Sequence, residues 1–282
     1  LVLILQPAEE IVKGAQAMLA EGLFEKFPRP DYNLALHVNA AMPAGTVGLV
    51  QGYALANVDS VNIDVPGIGG HGAYPHTTKD PVVLAAQIIM GLQTIVSRET
   101  HPREAAVVTV GKISGGTKRN IIGDGVRLEL TVRSYTDEVR AHTLEAIERL
   151  AENMGRASGL PEDKLPKYTL LDESAPATYN DPDLTDAAAD YMTAAIGADN
   201  VRFVDPVMGA EDFSHFGRTN PKIPSMMFWL GAVKPSTFRR AKKDGTSLPS
   251  LHSPSFAPDA KIALKTGVSA TSATAIGLFN AK

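Results

Sequence analysis

Among the groups in this 282-residue chain that can do chemistry, the first is a pair of adjacent carboxylates, Glu9 and Glu10, set just after Leu1-Val2-Leu3-Ile4-Leu5-Gln6-Pro7. Five unbroken apolar residues predict a strand covered on both faces, as in a parallel sheet, and Pro7 denies the following residues a place in the ladder. Open α/β sheets gather ligands beyond the carboxyl ends of their strands, so two carboxylates there suit metal binding or general-base work. The same pair could instead be the first turn of a helix, where negative charge complements the macrodipole. Ile11, Ala15, Met18 and Leu19 share one helical face, and Gly22 is a stop signal.

Seven histidines offer partners for these carboxylates. His37 lies inside the apolar run Leu34-Ala35-Leu36-His37-Val38, where an imidazole must be hydrogen-bonded or ligate a metal. His252 sits in a Leu251-His252-Ser253-Pro254 turn, as a ligand or as an exposed loop residue. His71 and His76 belong to Gly69-Gly70-His71-Gly72-Ala73-Tyr74-Pro75-His76, whose glycines permit close approach to a ligand or simply a tight turn. His101, His142 and His215 read as ordinary surface or helix-terminal residues.

The elements that must position these groups follow two patterns. Val61–Val65 and Val126–Arg133 alternate with period two, the mark of strands with one wet face. Between them Asp80-Pro81 caps a helix with a stripe of Val82, Ala85, Ala86, Ile89, Leu92 and Val96. A second helix starts at Thr136, carries Asp137 and Glu138 in its first turn, and turns Leu144, Ile147, Leu150, Ala151 and Met154 inward. With strands near 105–110 and 168–171, the order is β-α-β-β-α-β, a ferredoxin-like arrangement. An α/β pattern flanks it: Asp181-Pro182 caps an Ala-rich helix, Ser225–Leu230 is a nearly pure apolar strand, and Pro258-Asp259 opens a last helix ending near Phe279. The expected organisation is a discontinuous α/β domain (1–57 and 172–282) with an inserted domain (58–171), and a ligand cleft between them.

Composition narrows the function. A hydrophobic share of 44% with 21% charged residues is ordinary for a globular protein, and a net charge of −4 gives no basic field for nucleic acid or anionic membrane. No apolar run in the sequence approaches the ~18 residues of a membrane span. Zero cysteines exclude disulfides and thiolate ligands within the chain and fit a reducing, cytoplasmic setting. A core strand at residue 1 without an initiator Met leads to the expectation that part of the N-terminal domain precedes it.

Taken in order, Gln6-Pro7-Ala8-Glu9-Glu10, Leu36-His37-Val38, Gly70-His71-Gly72-Ala73 with Pro75-His76, Asn120, Met208-Gly209-Ala210-Glu211-Asp212-Phe213 and His252-Ser253-Pro254 resemble the zinc-dependent amidohydrolases, above all the aminoacylase and hippurate hydrolase branch that includes the auxin-conjugate hydrolases. The resemblance spans the whole chain. It implies a metallohydrolase catalytic domain with an inserted lid and dimerisation domain, two divalent metals (zinc, manganese or cobalt), and hydrolysis of N-acyl amino acids by a homodimer. Glu9 matches the general base acting on a metal-bound water. Glu10 and His37 match ligands of one metal, and His252 a ligand of the other. His71 matches a histidine that reaches across the dimer to the tetrahedral oxyanion. Asn120 matches a substrate-binding residue, with Arg119 or Arg133 as further partners for a substrate carboxylate, and Glu211 lies near the site.

Two departures qualify the resemblance. The family's first metal ligands, including the bridging one, lie upstream of the Gln-Pro-Ala-Glu-Glu motif, so three ligands here are too few for a closed dinuclear site. Gly123 follows Asn120-Ile121-Ile122 where relatives usually have proline. Beside the amidohydrolase stand two alternatives: a non-catalytic dimerisation scaffold or fragment without a complete metal site, and a metallocarboxypeptidase or aminopeptidase of the same superfamily.

Overall fold

The two hydrophobic patterns fold as two principal sheets. The computed structural model describes residues 1–281. Its strands are β1 (Asn33–Pro43), β2 (Val47–Leu49), β3 (Gly52–Leu55), β4 (Val58–Pro66), β5 (Gly70–His71), β6 (Ala106–Gly115), β7 (Ile121–Ile122), β8 (Gly125–Ser134), β9 (Lys167–Ala175), β10 (Thr178–Asn180), β11 (Val201–Phe203) and β12 (Ser225–Val233). The α-helices are α1 (Gly14–Ala20), α2 (Leu23–Lys26), α3 (Pro81–Thr94), α4 (Asp137–Ala157), α5 (Pro182–Ile196), α6 (Ser214–Gly217), α7 (Pro235–Asp244) and α8 (Ala260–Asn280).

The alternating strands form an antiparallel sheet in the order β6-β8-β4-β9. Val61, Ile63 and Val65 from β4 and Val126, Leu128, Leu130 and Val132 from β8 face one side, where α3 and α4 cover them. Both helices begin as their capping residues require: Asp80 accepts the Val82 N–H at 2.9 Å, and Thr136 the Val139 N–H at 3.2 Å. The inward face of α3 is rotated from the stripe expected. Leu84, Ala85, Ile88 and Leu92 are buried, while Val82 and Ala86 are exposed, because Pro81 is itself seated on the sheet and sets the helix phase.

The continuous apolar strands form a second sheet in the order β1-β12-β2-β11. It is mixed: β12 runs parallel to β1 but antiparallel to β2. All nine residues of β12 are buried, with α5 and α8 packed against its Met226, Phe228 and Leu230. A third apolar cluster joins Ala15, Leu23, Leu55, Phe213, Phe216, Met227 and Trp229 on the opposite face of β12.

Two expectations fail. The opening run is no strand: Leu1, Leu3 and Leu5 are 96%, 82% and 82% exposed, and residues 1–8 carry no secondary structure. A cleft of about 320 Å³ lies between residues 2–4 and residues 33–36 of β1, so the run joins no ladder, and within it Ile4 packs against the third apolar cluster. The second failure concerns length: Pro81–Glu99 and Ala260–Asn280 are helices long and apolar enough to cross a membrane, with mean hydropathy 1.3 and 1.2. Polar residues interrupt the apolar run in sequence without lowering a helix-wide mean. The first of these helices spends its apolar face on the antiparallel sheet.

The chain passes between the sheets at Asn57 and near Ala177. At the first crossing Asn57 N–H donates to the Ser134 carbonyl at 2.8 Å, and its side chain bonds Ser134 and Asp59. Asp59 is fully buried and receives a bidentate Arg140 guanidinium at 2.6 and 2.7 Å.

Candidate active site

Glu9 and Glu10 sit in a single 3₁₀ turn, Glu9–Ile11, between two residues in the left-handed region, Ala8 (φ 56) and Val12 (φ 57). Such conformations cost roughly 1–3 kcal/mol each in non-glycine residues and persist where surroundings enforce them. The enforcement is visible in packing: a Cβ on Gly14 would stand 1.6 Å from the Pro7 carbonyl oxygen, so the chain doubles back where only glycine fits. Asp212, fully buried, accepts the Ala15 N–H at 2.9 Å and the side-chain amide of Gln6.

Carboxylate oxygens of Glu9, Glu211 and Asp212 all lie within 4.8 Å of one another. Burial, then the charges of Glu10 and Asp212, raise the Glu9 carboxyl above its usual range, opposed by His37 and His252. Glu211 is pushed up to about 7, first by burial and then by the charge of Glu9; the Phe213 N–H, at 3.4 Å, only partly offsets this.

His37 stands on β1 opposite Trp229 of β12, their rings edge to face with centroids 5.4 Å apart. Its Nδ1 lies 2.7 Å from the Val38 carbonyl oxygen. That carbonyl can only accept, so Nδ1 carries the proton and Nε2 keeps a free lone pair, the tautomer a metal-binding histidine needs. His252 adopts φ 62 and puts Nδ1 3.8 Å from Glu10 Oε2, with both side chains well exposed. This pairs Glu10 with His252, whereas the resemblance put Glu10 with His37. Beside His37 and His252 opens a cavity of about 900 Å³, walled by Leu55, Val207, Trp229, Phe238, Leu248 and Leu251.

The other expected residues form a second group. β5 and β7 pair His71 with Ile121, and Gly72 N–H donates to the Asn120 carbonyl at 2.9 Å, so His71 and Asn120 are neighbours. The Ala73 N–H donates to His71 Nδ1 at 3.1 Å, which places the neutral ring's proton on an exposed Nε2, free to donate. Arg133 already has one partner: its Nη1 donates to the Met208 carbonyl at 2.7 Å and ties the antiparallel sheet to the loop that carries Glu211.

The donor set is one a borderline divalent cation accepts: an imidazole with a free Nε2 at His37, and a carboxylate beside an imidazole at Glu10 and His252. Three residues outside the expected set also belong here. Asp212 and Gln6 flank the motif residues singled out, and a buried acid next to Glu211 was the available signal. His215, expected at the surface or at a helix terminus, is the second residue of the short α6 and half-buried, and burial lowers its pKa.

Residues 1–245 match the peptidase family M20/M25/M40. N-acetyldiaminopimelate deacetylase of Geobacillus sp. (strain WCH70) is 37% identical over 244 residues, which cover 86% of this chain and 62% of that protein. A solved structure from methicillin resistant Staphylococcus aureus has 31% identity and a TM-score of 0.76, with 96% of this chain and 64% of that one covered. The Bacillus subtilis YXEP protein, a dinuclear metal binding peptidase, has 26% identity and a TM-score of 0.71 over 96% of this chain and 64% of its own. The chain thus spans less than two thirds of the length of these relatives. The Geobacillus relative is a deacetylase by name rather than an aminoacylase or hippurate hydrolase, and the family itself is shown: this chain belongs to peptidase family M20/M25/M40.

Proposed function

We propose that the protein carrying this chain hydrolyses the amide bond of N-acyl amino acids, with Glu9 as general base. The observation that carries this reading is that Glu9 has the buried Glu211 carboxyl within 4.8 Å and lies within electrostatic reach of two imidazoles, His37 and His252. Divalent cations, zinc, manganese or cobalt, held by Glu10, His37 and His252 would supply a water acidified to a pKa of roughly 7. Glu9 takes a proton from the attacking water, whose oxygen bonds to the amide carbon; the C–N bond then breaks and Glu9 returns the proton to the leaving nitrogen. His71 Nε2–H donates to the oxyanion, and Asn120 and Glu211 hold the substrate. We read residues 58–171 as a ferredoxin-like lid through which two copies pair. The β6-β8-β4-β9 order with its two covering helices supports the lid, and the exposure of His71 supports its use by a second copy.

The test is turnover of N-acetyldiaminopimelate, hippurate and N-acetyl amino acids after zinc or manganese addition, with dipeptides as the peptidase control. Glu9→Gln should keep the cation and lower kcat by about 10²–10⁴-fold. A second reading, a non-catalytic dimeric scaffold, draws on the small ligand set and on the exposure of Glu10 and His252. A folded dimer that binds no cation and turns over no substrate would establish it.

A further inference from the structure

The turn that bears Glu9 and Glu10 has only two backbone hydrogen bonds of its own to hold it. None of its three residues is buried, and left-handed residues stand on both sides of it. A β-branched residue such as Val12 is a genuine outlier there. Its own backbone bonds are the Val12 N–H to the Glu9 carbonyl at 2.6 Å and the Lys13 N–H to the Ala8 carbonyl at 3.3 Å. Lys13, at the cap position of α1, supplies no side-chain acceptor.

What closes this loop comes from 197 residues away in sequence. One oxygen of Asp212 accepts from the Gln6 side chain before the turn, and the other accepts the Ala15 N–H after it, at 2.9 Å. Asp212 is fully buried, and among the described residues it forms no ion pair with lysine or arginine. A buried carboxylate needs strong hydrogen bonds to stay charged. Here both side-chain bonds go to the two ends of one loop.

We propose that Asp212 is a positioning residue: by clamping Gln6 and Ala15 with its two oxygens, it holds the strained turn that aims Glu9 at Glu211 and Glu10 at His252. The inference deepens the reading of Glu9 as base and Glu10 as ligand, and rests on it for its catalytic meaning. The clamp itself can be tested without turnover.

Asp212→Asn keeps an acceptor for the Ala15 N–H, but its bond to Gln6 becomes one between two neutral amides, weaker than the charge-assisted bond it replaces. Adding Gln6→Glu restores a charge-assisted pair with donor and acceptor exchanged, so the double variant should rescue what the single one loses. Hydrogen exchange read by mass spectrometry in the full chain is the primary measurement. In Asp212→Asn, peptides over residues 6–15 should exchange about 10–100-fold faster while β12 is unchanged, and the double variant should recover most of that protection. Manganese affinity, measured by calorimetry, should fall at least about 10-fold and return with the double variant. In an active protein the loss should fall on kcat more than on KM. Unchanged exchange over 6–15, acceleration that extends equally to β12, or no rescue each overturns the proposal. Where Asp212→Asn does not fold, Gln6→Ala carries the test: it should loosen residues 6–15 alone, and full protection there overturns the clamp. Localised loosening and rescue in a wild type that hydrolyses no amide would uphold the clamp and sink the catalytic reading.

Discussion

Glu211 carries a carboxyl pushed far above its ordinary range. Its carboxyl, raised to about 7 by burial and by Glu9, stays protonated in the folded chain over a range where the unfolded chain has already lost its proton. A folded pKa above the unfolded value contributes stability that is full below about pH 4.5 and is lost as pH rises through about 7. At about 1.4 kcal/mol per unit, the loss approaches ~3 kcal/mol. Thermal melts of the metal-free protein should therefore show wild type falling below Glu211→Gln between pH 5 and pH 8, with the two curves closest in acid. Parallel curves would mean that Glu211 ionises as a surface carboxylate does. His37 and Glu9 could be singled out as candidates because a polar residue in an apolar run, or an acid pair after one, is a local pattern. Asp212 could not, since its partners Gln6 and Ala15 are brought to it only by the fold.

At the scale of elements, caps, alternation and the apolar runs of β1 and β12 were legible, and the opening apolar run was not. Asp80, Thr136, Asp181 and Asp259 each cap the helix expected of them, because a capping bond spans three residues or fewer. Leu1–Leu5 misled because burial of a strand depends on neighbours that its own sequence does not encode. Two substitutions probe how the elements are joined. Gly14→Ala would drive a methyl into the Pro7 carbonyl, and urea unfolding should show a loss of about 1–3 kcal/mol, with a larger local effect on the Glu9 turn. Arg140→Met strands the buried Asp59 at the start of β4 and should cost about 3–5 kcal/mol in the same assay; a loss below 1 kcal/mol would show that Asn57 alone satisfies that carboxylate.

For the molecule as a whole, the relation between the two sheets is set by a few polar links and a stack of tyrosines. Arg218, just beyond α6, grips Asp137 at the start of α4 with contacts of 2.8 and 3.1 Å, and Tyr53 stacks on Tyr135 at 6.0 Å. Hydrogen bonding to Arg218 holds the Asp137 carboxyl below its usual range, so this link is intact at neutral pH and fails only in acid, below the ordinary aspartate range. The pair is solvent-facing, and Arg218→Ala should change global stability by less than about 1 kcal/mol. Its effect should appear instead as a broader distribution of inter-sheet distances in small-angle scattering or spin-label measurements; an unchanged distribution would assign the orientation to the Asn57 crossing and the tyrosines.

The complete burial of β12 reaches beyond packing. A strand sealed on both faces and bonded on both flanks belongs to the last part of a protein to open, so His37, paired to it through β1, is mounted on the slowest-exchanging ground in the molecule. Glu9 and Glu10 ride instead on an unburied turn that is held from outside by Asp212. The proposed base and ligands thus stand on ground of unequal stability, and any group that contacts both should be held more tightly when the turn is fixed.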